Sequence, residues 1–179
     1  MAKIKNFEDS MTPFVFPQGT VRFSHLITPD TYEGKTQYKV EVVIDETNPE
    51  WKEVLENLKK FQDDRALANG KSTKDLSCVI RKDGLAFLRF HSNSSGRFTI
   101  VDKNNQPYAQ EPWRGSTVRV FSKPEYYTGF GGGLTLYLMK VQVVENAKDI
   151  GGGGSYDDPF AASAKPSAKV DVPGDDVPF

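Results

Sequence analysis

The spacing of apolar residues changes period twice along this chain, and that change bounds the fold more tightly than any other feature. From Gly19 onward the residues alternate. Val21, Phe23, His25 and Ile27 fall on one face of a strand over residues 20–27, with Arg22 and Ser24 on the other. Pro29-Asp30 is expected to end it, and Glu33-Gly34 to turn the chain into a second strand. There Tyr38, Val40, Val42 and Ile44 alternate with Gln37, Lys39 and Glu41. Two such runs joined by a short polar loop predict an antiparallel pair. The period then becomes helical. Asn48 is placed to cap, Pro49 suits the first helical position, and Trp51, Val54, Leu55, Leu58 and Phe61 share one stripe before Asn69-Gly70 stops the helix. That stripe is expected to plug a core.

Strand periodicity returns at Gly84. Leu85, Phe87 and Arg89 share one face of a third strand, opposite Ala86, Leu88 and Phe90, with residues 71–83 before it read as a polar linker. A short fourth strand covers 97–101. A polar excursion over 102–113 then leads through Arg114-Gly115 into a strand at 116–123. The last strand runs over 134–145, where inward parity passes from Leu134, Leu136 and Leu138 to Val141 and Val143. That one-residue slip predicts a bulge at Met139-Lys140. Ahead of Gly19, Pro13 and Pro17 predict an irregular arm. The expected fold is mainly β with one inserted helix: a partly open five-stranded Greek-key barrel of the OB type over residues 1–150.

Residues 151–179 have another character. Four glycines open the segment, and Ala, Ser, Pro and Lys dominate the rest, which predicts a flexible tail with too little apolar surface to order itself. Five acids stand there against Lys165 and Lys169, so a net −1 chain divides into a mildly basic body and an acidic end. The end itself is Asp175-Asp176-Val177-Pro178-Phe179. A terminal ring suits an apolar pocket, and the carboxylates suit a basic rim. Tyr156-Asp157-Asp158-Pro159-Phe160 is a second, internal candidate for the same motif.

Several classes of function are disfavoured. A single cysteine and two histidines offer no zinc-type ligand set, and no cofactor signature is present. No Ser-His-Asp arrangement and no pair of carboxylates on a rigid wall point to catalysis. Gly129 and Gly131 to Gly133 lack the Lys-Ser/Thr of a phosphate cradle and read as a hairpin tip. The lone Cys78 and the lack of a long apolar run or secretory leader lead to the expectation of a cytoplasmic protein away from membranes.

Binding of single-stranded nucleic acid is better served, since it needs rings for bases and cations for phosphates. Arg119, Phe121 and Lys123 share one face of their strand, and Tyr137 stands on the same face of its neighbour. Tyr126, Tyr127 and Phe130, in the glycine-rich connection, are expected to stack on bases. Phe23, Tyr38, Trp51 and Phe90 are expected in the core. Trp113 is balanced between the two roles, and Arg89, Arg97 and Arg114 complete the candidate phosphate ligands. A protein-interaction hub and an RNA-binding module remain alternatives.

The terminal pentapeptide resembles the C-terminal tip of bacterial and phage single-stranded DNA-binding proteins. The likeness extends to the layout. The barrel with its early helix, the entry Trp113-Arg114-Gly115-Ser116 and the aromatic hairpin resemble phage replication proteins of that class. The resemblance implies a non-enzymatic protein that protects single-stranded DNA in replication, recombination and repair. It implies recruitment of polymerase and helicase or primase through residues 175–179, in the host-cell cytoplasm. An exposed barrel edge adds the expectation of a homodimer.

Overall fold

Two tight turns set the register of the sheet. At Glu33-Gly34 and at Asp83-Gly84 both residues have positive φ, of 50° and 75° and of 55° and 76°, the pattern of a two-residue type I′ hairpin whose twist matches its flanking strands. In the computed structural model, which describes residues 7–148, the first turn joins β2 (Gly19–Tyr32) to β3 (Lys35–Val43), and the second joins β4 (Val79–Lys82) to β5 (Leu85–Ser92). The other strands are β1 (Phe14–Val15), β6 (Thr99–Asp102), β7 (Thr117–Tyr127) and β8 (Gly133–Glu145), and α1 (Pro49–Ala68) lies between β3 and β4.

Five strands form a closed ring. β2 pairs antiparallel with β3, β3 with β5, and β8 with β7. β5 runs parallel to β8 through Phe90↔Leu136 and His91↔Tyr137. β7 returns to β2 through Gly19↔Val118 and Thr20↔Thr117. This is the OB strand order, mainly β with one helix, and it is closed where the sequence suggests a partly open barrel. Gly19 permits the closure. A Cβ there would lie inside contact distance of Val42 Cγ1 and 2.9 Å from Val43 O. β1, β4 and β6 flank the ring on β7, β5 and β8.

The interior holds the inward residues of all five strands, among them Val21, Val40, Val42, Leu88, Phe90, Val118, Val120, Leu136 and Val141. α1 seals it. Asn48 Oδ1 accepts from Glu50 N at 2.8 Å, which satisfies one orphan donor of the first turn. Trp51 and Leu58 are buried, and the Trp51 indole N–H donates to Gln18 O. Gln62, also buried, donates to Lys74 O and Asp75 O and accepts from Ser77 N and Oγ, so it fastens segment 71–78 to the helix.

Four local expectations need correction. β4 forms inside the segment read as a polar linker; the Asp-Gly turn after Lys82 is the signal that marks it. The arm before Gly19 is partly ordered, since Phe14–Val15 pair with β7 and Phe16 is among the largest fully buried side chains. β2 continues through Pro29 to Tyr32, because Pro29 falls in a register break between His25 and Asp30 where no ladder bond is required. β7 continues through Pro124. The Pro124 carbonyl accepts from Met11 N in the arm, and N and O of one strand residue share a side. The missing N–H therefore faces away from β8. The bulge expected at Met139-Lys140 is present as a register shift opposite Phe121/Ser122.

Candidate nucleic-acid interface

Pairing in register lines up one side chain from each strand across the outside of the barrel. His25 lies beside Lys39, Lys39 beside His91, His91 beside Tyr137, and Tyr137 beside Lys123. A second row runs Phe23, Glu41, Arg89. OB barrels bind oligomers on the face of their second and third strands, here β3 and β5, between the loop joining strands one and two and the loop joining four and five. The first loop presents exposed Tyr32, and the second carries Phe130 at its tip, fully exposed.

Contacts within the rows are specific. The His91 and Tyr137 rings lie 5.3 Å apart at 59°, and His91 Nε2 is 2.7 Å from Thr135 Oγ1. His91 Nδ1 is buried without a partner among the described residues. Burial, reinforced by Arg89, lowers the His91 pKa below its ordinary value, so the ring is neutral near pH 7. Lys39 Nζ lies 5.5 Å from the Phe23 centroid and 2.6 Å from Asp30 Oδ2. That hydrogen bond is the main cause of the lowered pKa of half-buried Asp30. Glu41 is the pivot of the second row. It is 3% exposed and meets Arg22 at 2.6 Å and Arg89 at 2.6 and 2.9 Å. Arg22 in turn lies over the Phe87 ring. Arg89 is thus a half-exposed cation held in place by a buried carboxylate.

The structure divides the residues expected to bind nucleic acid. Arg89, Lys123 and Tyr137 stand on this face, with Tyr127 and Phe130 on the hairpin that borders it. Phe130, between Gly129 and Gly131, has φ 49°, a left-handed value that a ring-bearing residue seldom adopts. Trp113 and Arg114 lie at the far side of β2, and Arg97 is exposed on the turn after β5. Arg119 and Phe121 are elsewhere. They line a cleft of about 170 Å³ with Val15, Val101, Lys140 and Gln142, between β1 and β6.

Two ring assignments are reversed. Tyr126 is 6% exposed and belongs to the core cluster, because β7 continues through Pro124 and places it at an inward position after Val120, Ser122 and Pro124. Burial raises its hydroxyl pKa. Phe23, by its alternation a core residue, is instead 41% exposed. Arg22 is an extra residue in a β2 bulge between Val21 and Phe23, and the slip turns Phe23 and His25 outward. With them, His91 and Lys39 stand on this outer face, though the sequence does not single them out. Their cue is the outward parity of β3 and β5. Residues 151–179, including Asp175, Asp176, Val177, Pro178 and Phe179, lie outside the described residues.

The fold is an OB barrel whose outer face over β3 and β5 carries a row of rings and cations. Similar solved structures come from phages. The crystal structure of gp2.5, a single-stranded DNA-binding protein encoded by bacteriophage T7, superposes with a TM-score of 0.63 at 17% identity, over 76% of this chain and 93% of that one. The single-stranded DNA-binding protein of bacteriophage Enc34, in complex with single-stranded DNA, gives 0.60 at 11% identity, over 79% and 93%. Its C-terminal truncation gives 0.60 at 12%, over 79% and 92%. These likenesses establish the fold. No protein-family model and no curated protein matches the chain. Among the described residues no helix is long and apolar enough to cross a membrane, and no group of three or more His, Cys, Asp or Glu side chains is placed to hold a metal.

Proposed function

We propose that residues 1–150 form a domain that binds single-stranded DNA with little sequence preference, and that residues 151–179 recruit partners. The observation that carries the first half is the outward line His25, Lys39, His91, Tyr137, Lys123, extended by Phe130 at the hairpin tip. Rings tolerate any base, because every base has a face on which to stack, and lysines meet phosphate without reading sequence. Arg89, Arg114 and Trp113 extend the same path, and Tyr127 borders it. The similar phage proteins, one of them in complex with single-stranded DNA, support the reading. Within it the protein coats single strands during phage replication, recombination and repair in the host-cell cytoplasm. The Asp175-Asp176-Val177-Pro178-Phe179 end recruits the polymerase and the helicase or primase, and homodimerisation belongs to the same picture.

The test is a fluorescence titration of an oligo-dT strand, with RNA and duplex DNA as competitors, at several salt concentrations. Single-strand preference with affinity falling steeply in salt is expected, since phosphate neutralisation releases counterions. Tighter binding to duplex, or binding indifferent to salt, refutes it. For the tail, removal of Phe179 alone should abolish capture of the polymerase and leave DNA affinity nearly unchanged. Equal capture by the truncated chain refutes recruitment.

A further inference from the structure

A cleft of about 410 Å³ lies at the side of β2 remote from β3, lined by Arg22, Phe23, Ser24, Glu111, Trp113 and Arg114, with Pro112 completing it. Two aromatic rings border it, and both are left about half open: Phe23 is 41% exposed and Trp113 40%. Neither ring is loose. The break in β2 pairing after His25 leaves the N–H groups of Leu26 and Ile27 without strand partners, and the Glu111 carboxylate accepts from both, at 2.8 to 3.3 Å, and from Ser24 Oγ. Buried Asn146 anchors the other end of the loop. Its Oδ1 accepts from Trp113 N and Ser116 Oγ, and its Nδ2 donates to Tyr108 Oη and Glu111 O. The Trp113 ring is further held by Lys148, whose Nζ is 5.5 Å from its centroid. Phe23 is fixed from the opposite side by His25, edge-on at 4.7 Å, and by Lys39.

Rigid, half-open rings facing one cleft with arginines at its wall match an unstacked nucleobase and its phosphates. The rings supply apolar faces at little cost in conformational entropy, and Arg114 stands at the wall where the backbone charge would pass, while Arg22 is engaged by Glu41 at 2.6 Å. An acidic occupant fits less well, since it leaves the rings unused, and the cleft continues the row Phe23, Glu41, Arg89 of the proposed strand face. We propose that this cleft is a discrete slot for one base of the bound strand, so that the DNA path runs beyond the β3–β5 face, across Phe23, to Trp113. The inference rests on the proposed single-strand binding and adds Phe23 to it.

Tryptophan emission tests it directly, because Trp51 is buried and Trp113 is the exposed indole among the two. Titration of the intact chain with oligo-dT should quench emission, and Trp113→Phe should remove the quench. Phe23→Ala should weaken oligo-dT binding by roughly ten-fold, the effect of one lost stacked base. Phe23→Leu keeps an apolar side chain but removes the ring face, and should weaken binding comparably with a nearly unchanged melting temperature. An abasic strand of equal length should bind more weakly and quench nothing. Failure of the intact chain to bind oligo-dT refutes single-strand binding, and the slot with it. Normal binding without quench, equal quench by the abasic strand, or full affinity in both Phe23 variants overturns the slot alone.

Discussion

Replacing Glu41 with Gln should lower stability and tighten DNA binding at once. The carboxylate is buried between two guanidinium groups, Arg22 at 20% side-chain exposure and Arg89 at 44%. Breaking a fully buried pair costs about 3–5 kcal/mol, whereas exposed pairs contribute about 0–1. The Arg22 contact lies nearer the first limit, and solvent screening places the Arg89 contact near the second. Gln keeps one acceptor, so the expected loss is about 2 kcal/mol, which at roughly 2–4 °C per kcal/mol for a chain of this size lowers Tm by about 4–8 °C. The face meanwhile gains one positive charge, and Arg89 is released toward the strand. One more neutralised phosphate steepens the dependence of log K on log salt by about 0.7, so the ratio of variant to wild-type affinity should change about three-fold between roughly 50 and 200 mM salt. Differential scanning fluorimetry reads the first effect, and oligo-dT titration at both salts reads the second. An unchanged Tm would refute the buried triad. A lower Tm with an unchanged salt slope would show that Arg89 does not meet phosphate.

Three further outcomes are expected. Because His91 has a folded-state pKa depressed by burial, the unfolded chain binds more protons below pH about 6.5, so this residue's contribution is present above that pH and is lost as pH falls toward the lowered value; His91→Gln should flatten the decline of Tm between pH about 7 and 5. Gly19→Ala should destabilise by about 1–3 kcal/mol, measured by urea denaturation, because the added methyl must displace Val42 and the Val43 carbonyl at the barrel seam. Cys78, buried and with its thiol pKa pushed up to about 12, should resist a disulfide-exchange reagent at pH 8 until denaturant is added; rapid labelling of the native chain would refute its burial.

Local sequence determined the parts whose physics is local. The alternation in β3 and β5, the capped helix over residues 49–68, the parity slip in β8 and the Glu33-Gly34 turn each arise from a period or a turn residue within a few positions. The strand sequence around one helix was enough to indicate an OB barrel, because few layouts bury those faces together. Tertiary structure decided what depends on a neighbour across the ring. The closure of β7 on β2 turns on the space beside Gly19, which Val42, the Val43 carbonyl and Trp51 define. The outward turn of Phe23 comes from a bulge at Arg22, and that bulge exists relative to β3 alone. Tyr126 is buried because Pro124 can sit in β7 when its bare nitrogen faces the arm, a fact of pairing that a proline in a sequence does not reveal. The alignment of Lys39, His91, Tyr137 and Lys123 joins residues far apart in the chain through three strand registers. Register is set by the whole barrel, so the face it creates was legible in the sequence only strand by strand.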